Sequence, residues 1–161
     1  MSNFQPINAA GIKPEVYQAT GIRMKCSGIT ATTKACLCKV SAEGVVSPTE
    51  VPHTAGAISN TLTPLYVYEE GSFETSGTDT FANFSVLGAA GIVKLTASAG
   101  ETIALGDTLE LDANGYVRKA TTGATTEIQV GVALESVTTT TDPASIQVVS
   151  YCPVYVTGGV S

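Results

Sequence analysis

The chain of 161 residues carries a formal net charge of −6 at pH 7. This acidity argues against nucleic acid and anionic membrane as partners, because both require a basic surface. Charged residues make up only 14% of the chain against 43% hydrophobic residues, and Trp is absent. With its abundant Thr, Val and Gly, the composition is typical of an all-β protein.

The length is that of one domain, which can bury a core without a metal or a disulfide to hold it together. No basic segment followed by an apolar run opens the sequence, and no apolar run is long enough to span a bilayer. We therefore expect neither a standard secretion signal nor a transmembrane segment. The low charge density indicates either a surface that meets other proteins or one covered by Thr and Ser.

Residues 1–20 are predicted to form an extended N-terminal arm. Pro6, Gly11 and Pro14 interrupt any regular element there. Such a segment gains order only from a surface on which it lies. The apolar side chains available for that contact are scattered along the arm: Phe4, Ile7, Ile12, Val16 and Tyr17.

The rest of the chain, residues 21–161, is predicted to be a single β domain. Short apolar runs alternate with turn-forming residues at intervals of about 8–12 residues, which indicates a small β-barrel or β-sandwich with long polar loops. A polar loop over 47–61 carries two prolines and has no predicted role. The predicted strands cover 22–26, 34–40, 65–68, 81–87, 91–96, two segments around a hairpin within 101–120, 127–137 and 145–156.

The clearest local signal is the stretch ETIALGDTLELDANGYVRKA, residues 101–120. Asn114-Gly115 lies between two alternating apolar runs, and this dipeptide favours a type I′ turn because both of its residues tolerate a positive φ. The pattern predicts a tight β-hairpin with Gly115 at positive φ. Alternation of Leu109 and Leu111 with polar residues predicts one dry face and one wet face.

The spacing of two cysteines favours their burial in the protein core. Cys36 and Cys38 are two residues apart and face the same side of a strand, where small thiols are commonly buried. A zinc site built from Cys26, Cys36, Cys38 and the single histidine, His53, is conceivable by residue type, although the usual ligand spacing is missing. A disulfide formed late is the third possibility. No metal and no cofactor are expected.

The sequence also offers no catalytic constellation. His53 lies in a loop flanked by proline, and no serine elbow accompanies it. Glu69 and Glu70 are adjacent, so on a strand they would point to opposite faces and could not act as an acid–base pair. We expect that the protein is not an enzyme.

Residues 91–137, GIVKLTASAGETIALGDTLELDANGYVRKATTGATTEIQVGVALESV, resemble the bacteriophage head decoration, or capsid cement, proteins. The recurring pattern is a strand, a G-D pair opening the next strand, a D-x-x-G turn, an Ala/Thr-rich stretch and V-G-V-A-L-E before a final strand. Here these elements are Gly106-Asp107, 112–117, 119–126 and 130–135. The resemblance covers about a third of the chain.

In this motif Gly131 is expected to allow a close backbone approach to a neighbouring strand or subunit. The residues Val130, Val132 and Leu134 are expected to share one buried face, because they alternate along a strand.

The resemblance implies a structural virion protein that binds the outer capsid surface and stabilises contacts between major capsid proteins, commonly as a homotrimer. It implies synthesis in the bacterial host cytoplasm, where thiols stay reduced. The five apolar residues of the arm would then be capsid or subunit contacts. The alternative is a phage tail or fibre module, or a carbohydrate-binding β module. Such a module should expose aromatic side chains in a shallow groove, for which the candidates are Tyr66, Tyr68, Tyr151 and Tyr155.

Overall fold

A computed structural model of the chain describes residues 21–49, 65–89, 91–121 and 126–157. The predicted arm and most of the predicted loop over 47–61 lie outside these ranges. The predicted all-β class is confirmed, and a closed barrel forms. The strands are β1 (Ile22–Cys26), β2 (Leu37–Ala42), β3 (Val45–Pro48), β4 (Tyr66–Tyr68), β5 (Glu74–Ser76), β6 (Asp79–Val86), β7 (Ile92–Ala97), β8 (Thr102–Ile103), β9 (Thr108–Leu111), β10 (Val117–Lys119), β11 (Thr126–Ala133), β12 (Val137–Thr138) and β13 (Ala144–Thr157).

The described strands group into two larger sheets and one small ribbon. The N-terminal sheet has the order β1-β3-β2-β4-β6-β5, and an additional antiparallel pairing of β1 with β6 joins five of its strands into a ring. The C-terminal barrel is closed in the order β10-β7-β13-β11-β9. Strands β12 and β8 pair as a short ribbon. The described part of the predicted single domain over 21–161 contains these two ringed sheets.

Each sheet has its own apolar core, because alternate side chains point inward. The N-terminal core consists of Cys26, Ile29, Cys36, Cys38, Val46, Tyr68, Ala82 and Phe84. Inside the C-terminal barrel, Leu95, Leu109, Val117, Val130, Ile146 and Val148 are almost completely buried. In the described part of the chain, no helix is long and apolar enough to cross a membrane.

The two sheets pack against each other through apolar side chains. Leu37, Leu65, Val67 and Leu87 come from the N-terminal half but belong to the apolar cluster of the C-terminal barrel. Tyr68, the neighbour of Val67 on β4, faces the N-terminal core instead and is fully buried there. Both faces of the strand over 65–68 are therefore covered.

The predicted pairing and turn of the hairpin are confirmed, whereas its predicted wet face is wrong on β9, because Glu110 is buried there. Strand β9 pairs antiparallel with β10, and the Tyr116 N–H donates to the Ala113 carbonyl across the turn at 3.2 Å. Asn114 has φ 61° and Gly115 has φ 73°, the positive values that the turn requires. Gly115 also approaches the N-terminal sheet closely, because a Cβ built on it would lie 2.2 Å from the Leu37 carbonyl oxygen.

The expected buried face on β11 was wrong. The register of β11 shifts between Gln129 and Gly131, and an extra residue at a bulge reverses the in–out alternation. Val130 is buried before the bulge, whereas after it Ala133 is buried and Val132 and Leu134 turn outward.

Several predicted strand bounds hold and others shift. Strand β1 has the predicted bounds, whereas β2 begins at Leu37 rather than at residue 34. Strand β3 (Val45–Pro48) was not predicted, because Pro48 marked the region as a loop. It pairs parallel with β1 and antiparallel with β2, with Pro48 at its end.

Candidate functional site

A polar groove of about 590 Å³ lies where the N-terminal sheet meets the hairpin turn of the C-terminal barrel. Most of its wall comes from segments around β1, β2 and β3, and the remainder comes from the turn between β9 and β10. The lining residues are Ser27, Gly28, Thr32, Thr33, Lys39, Ser47, Pro48, Asn114 and Tyr116. The volume falls within the roughly 300–1,000 Å³ range of ligand pockets.

The pairing of β2 with β3 positions the Lys39 and Ser47 side chains in the first wall of the groove. Lys39 and Ser47 are register partners on β2 and β3. Their neighbours Cys38 and Val46 are buried in the N-terminal core, so the alternation of a strand directs the Lys39 and Ser47 side chains outward, into the groove.

A tight turn forms the next part of the wall. The Thr30 N–H donates to Thr33 Oγ1 at 2.8 Å, and the Thr33 N–H donates to the Thr30 carbonyl at 3.1 Å. The Thr30 hydroxyl also lies 3.2 Å from the Thr32 hydroxyl. These bonds hold the Thr32 and Thr33 side chains in place beside the groove.

The hairpin turn supplies the opposite side. The contact of Gly115 with Leu37 holds the turn against the N-terminal sheet, which presents Asn114 and Tyr116 to the groove. Tyr116 also packs against the N-terminal core. Burial raises the pKa of the Tyr116 hydroxyl above its ordinary value near 10, so this hydroxyl is protonated at neutral pH and can donate a hydrogen bond.

The described residues that line the groove include one ammonium group, Lys39, and no carboxylate. Among the described residues, the other basic side chains are engaged: Arg23, Lys25, Lys94, Arg118 and Lys119 pair with carboxylates, and Lys34 donates to the Pro143 carbonyl. Within those ranges Lys39 makes no ion pair, so its charge is available to a ligand.

A second surface feature is an apolar row across the outer wall of the C-terminal barrel. Ile92 on β7 is the register partner of Val149 on β13, and Val149 is the partner of Val132 on β11. Ile92 is 42% exposed and Val149 is 40% exposed. Leu134, two residues after Val132 on the same face, is also exposed. We call Ile92, Val149, Val132 and Leu134 the apolar row.

Beside the hairpin, a cluster of polar and charged side chains links neighbouring segments of the C-terminal barrel. Arg118 Nε donates to Glu110 Oε1 at 2.5 Å, and the Glu110 carboxylate is almost fully buried. Ser98 Oγ donates to Asp112 Oδ2 at 2.5 Å, linking β7 to the hairpin. These contacts connect adjacent segments of the barrel, which indicates a structural role.

The predicted burial of Cys36 and Cys38 on one face is confirmed. Cys26, Cys36 and Cys38 are buried in the N-terminal core, and all four cysteines, including the exposed Cys152, are free. The Sγ atoms of Cys36 and Cys38 are 3.8 Å apart. Their hydrogen bond and burial raise the pKa of Cys38, and burial raises that of Cys26.

Among the described residues, no group of three or more His, Cys, Asp or Glu side chains could hold a metal ion. His53 lies outside the described residues. Glu69 and Glu70 are both exposed, and Glu70 forms an ion pair with Lys94 at 2.9 Å.

The structure describes some of the residues predicted for binding and turns, and others lie outside its described part. The arm residues Phe4, Ile7, Ile12, Val16 and Tyr17 lie outside the described part of the chain. Gly131 approaches β13 closely, since a Cβ on it would lie 2.4 Å from Val148 Cγ1. Asn114 and Gly115 lie at the junction of the two sheets.

Two of the aromatic candidates for a sugar-binding surface, Tyr66 and Tyr68, lie at the N-terminal core. Tyr68 is fully buried in the N-terminal core, and Tyr66 is only partly exposed against it. Tyr116, which was not a candidate, lines the groove instead. Sequence reasoning missed the groove, whose only local signal is the Thr-rich segment at 30–33.

The chain matches no protein-family model, no curated protein and no solved structure.

Proposed function

We propose that this chain is a structural virion protein that binds the outer surface of a phage capsid and stabilises contacts between major capsid proteins. The observation that carries the proposal is the apolar row on the C-terminal barrel. Single exposed apolar side chains are ordinary on a protein surface, but contiguous ones mark interaction sites. Ile92, Val149 and Val132 occupy adjacent strands at paired positions.

The row lies on a rigid support. The barrel is closed, so its strands leave no free edge, and β13 pairs with β7 on one side and with β11 on the other. A surface held in this way loses little conformational entropy on binding. Many identical weak contacts on a capsid lattice then add up through avidity.

The remaining parts of the proposal follow the motif at residues 91–137. The protein would be made in the bacterial host cytoplasm and would act on the capsid as a homotrimer, with the major capsid protein as its partner. The arm residues would add contacts to the capsid or to a neighbouring subunit. Deletion of residues 1–17 should accordingly leave a folded β protein that binds heads more weakly.

The test is binding to heads of the encoding phage that were assembled without this protein. Val149→Lys places a charge in the apolar row, and burying that charge against a protein surface should reduce binding at least tenfold, about 1.4 kcal/mol or more. Ile22→Lys is the matched control, because Ile22 is 51% exposed on β1 of the other sheet. Co-sedimentation measures the bound protein, and thermal release of DNA measures capsid stability.

Wild-type protein and Ile22→Lys should bind heads equally and raise the temperature of DNA release above that of undecorated heads. Val149→Lys should do neither at the same concentration. Failure of the wild-type protein to bind heads, or to raise the release temperature, would refute the proposed function. Equal binding by both variants would refute the role of the apolar row.

A further inference from the structure

We propose that the polar groove is a binding site for a carboxylated saccharide. This inference is separate from capsid binding, because the groove and the apolar row lie on different parts of the molecule. Its basis is the combination of a ligand-sized concavity, a lining rich in hydroxyls and a single ammonium group that makes no ion pair with a described residue.

The lining matches the chemistry of a sugar. Hydroxyl groups on Ser27, Thr32, Thr33 and Ser47 can each donate and accept hydrogen bonds, and so can the Asn114 side-chain amide. A saccharide presents alternating hydroxyl donors and acceptors that fit such a surface. Pro48 adds a small apolar surface for the C–H groups of a sugar ring.

The ammonium group selects for a negative charge. Lys39 lies on β2 and is half-buried, and none of the described residues that line the groove carries a carboxylate. In a chain of net charge −6, the other described basic residues are already neutralised by carboxylates or bonded to a carbonyl. A ligand carboxylate at Lys39 would gain a charge-assisted hydrogen bond without displacing a protein partner.

A saccharide fits the groove better than an extended peptide does. A peptide that binds by strand addition needs a free sheet edge. Strand β3 pairs with β2 along its whole length and with β1 at Val45 and Val46, so most of its backbone groups are already used. The groove offers side-chain polar groups instead.

The site is also formed before a ligand arrives. The hydrogen bonds between Thr30 and Thr33 hold one wall, and the contact of Gly115 with Leu37 holds the other. A preorganised site loses less entropy on binding, which favours a small polar ligand with modest contact area.

The experiment is a titration of the full-length ¹⁵N-labelled protein with D-glucuronic acid, followed through its amide NMR signals. D-glucose and sodium acetate serve as separate probes for the neutral sugar and the bare carboxylate. Two variants remove the same charge: Lys39→Gln in the groove and Lys94→Gln on the outer wall of the barrel, where Lys94 pairs with Glu70. The unliganded spectra establish that both variants are folded.

We expect glucuronic acid to shift the Gly28, Asn114 and Tyr116 amide signals in a saturable way and to bind more tightly than glucose or acetate. Lys39→Gln should weaken the binding of glucuronic acid about tenfold, because one charge-assisted hydrogen bond is lost. Lys94→Gln should bind glucuronic acid like the wild type. Absence of saturable shifts at these amides would overturn the proposal. Equal affinity for acetate and glucuronic acid, or an unchanged affinity in Lys39→Gln, would also overturn it.

Discussion

The contact of Gly115 with Leu37 makes a sharp prediction about how the two sheets are held together. Gly115 is buried at φ 73°, and a Cβ added to it would lie 2.2 Å from the Leu37 carbonyl oxygen and 3.1 Å from the Leu37 nitrogen. Both atoms belong to the backbone of β2, which is paired on either side with β3 and β4. The clash cannot be relieved by a rotamer change, so Gly115→Ala must move the hairpin away from the N-terminal sheet.

The size of the effect follows from two contributions. A left-handed conformation costs a non-glycine residue roughly 1–2 kcal/mol, and a core contact that is overpacked costs roughly 1–3 kcal/mol more. Gly115→Ala should therefore lower the free energy of unfolding by about 2–5 kcal/mol. Gly77→Ala is the matched control, because Gly77 has φ 62° but nothing lies within 4 Å of its added Cβ. Its free energy of unfolding should fall only by the cost of the backbone strain, roughly 1–2 kcal/mol.

Urea unfolding followed by far-ultraviolet circular dichroism measures both variants, since the chain contains no Trp for fluorescence. Domains of this size hold only about 5–15 kcal/mol in total, so Gly115→Ala should unfold at distinctly lower urea than Gly77→Ala. Equal midpoints for the two variants would show that the hairpin does not press on Leu37, and the junction between the two sheets as described would be wrong.

Three further outcomes are expected. Gly131→Ala should lower the free energy of unfolding by about 1–3 kcal/mol in urea, because its Cβ would overlap the Val148 side chain; a neutral effect would contradict the close approach of β11 to β13. A thiol reagent at pH 8 should label only Cys152 in the native protein and all four cysteines in urea, because the other three are buried; rapid native labelling of more than one thiol would contradict the core. Hydrogen bonds from the Ala104 N–H and Lys119 lower the pKa of Asp107 below its ordinary value near 3.8. The stability that this carboxylate adds should thus be present above that ordinary value and be lost as the pH falls through the lowered one. Asp107→Asn should be less stable than the wild type at pH 7, and the difference should shrink in acid; a gap that stays constant with pH would refute the assignment.

Local sequence signals were sufficient for the features that depend on a few neighbouring residues. Asn114-Gly115 specifies a turn with two positive φ values, because few other dipeptides tolerate that backbone, and the hairpin formed as expected. The composition rich in Thr, Val and Gly led to the all-β class. The spacing of Cys36 and Cys38 led to a shared buried face, which depends only on the period of a strand.

Contacts between distant segments decided the rest. The bulge after Gln129 arises where β11 must pair with both β9 and β13, so Val132 faces outward into the apolar row although alternation alone would bury it. Strand β3 exists because β1 and β2 bind its two edges, despite Pro48. The groove brings Lys39 and Asn114 together from the two halves of the chain. Local periodicity carries no information about such pairs, because their proximity is set by how one sheet packs on another.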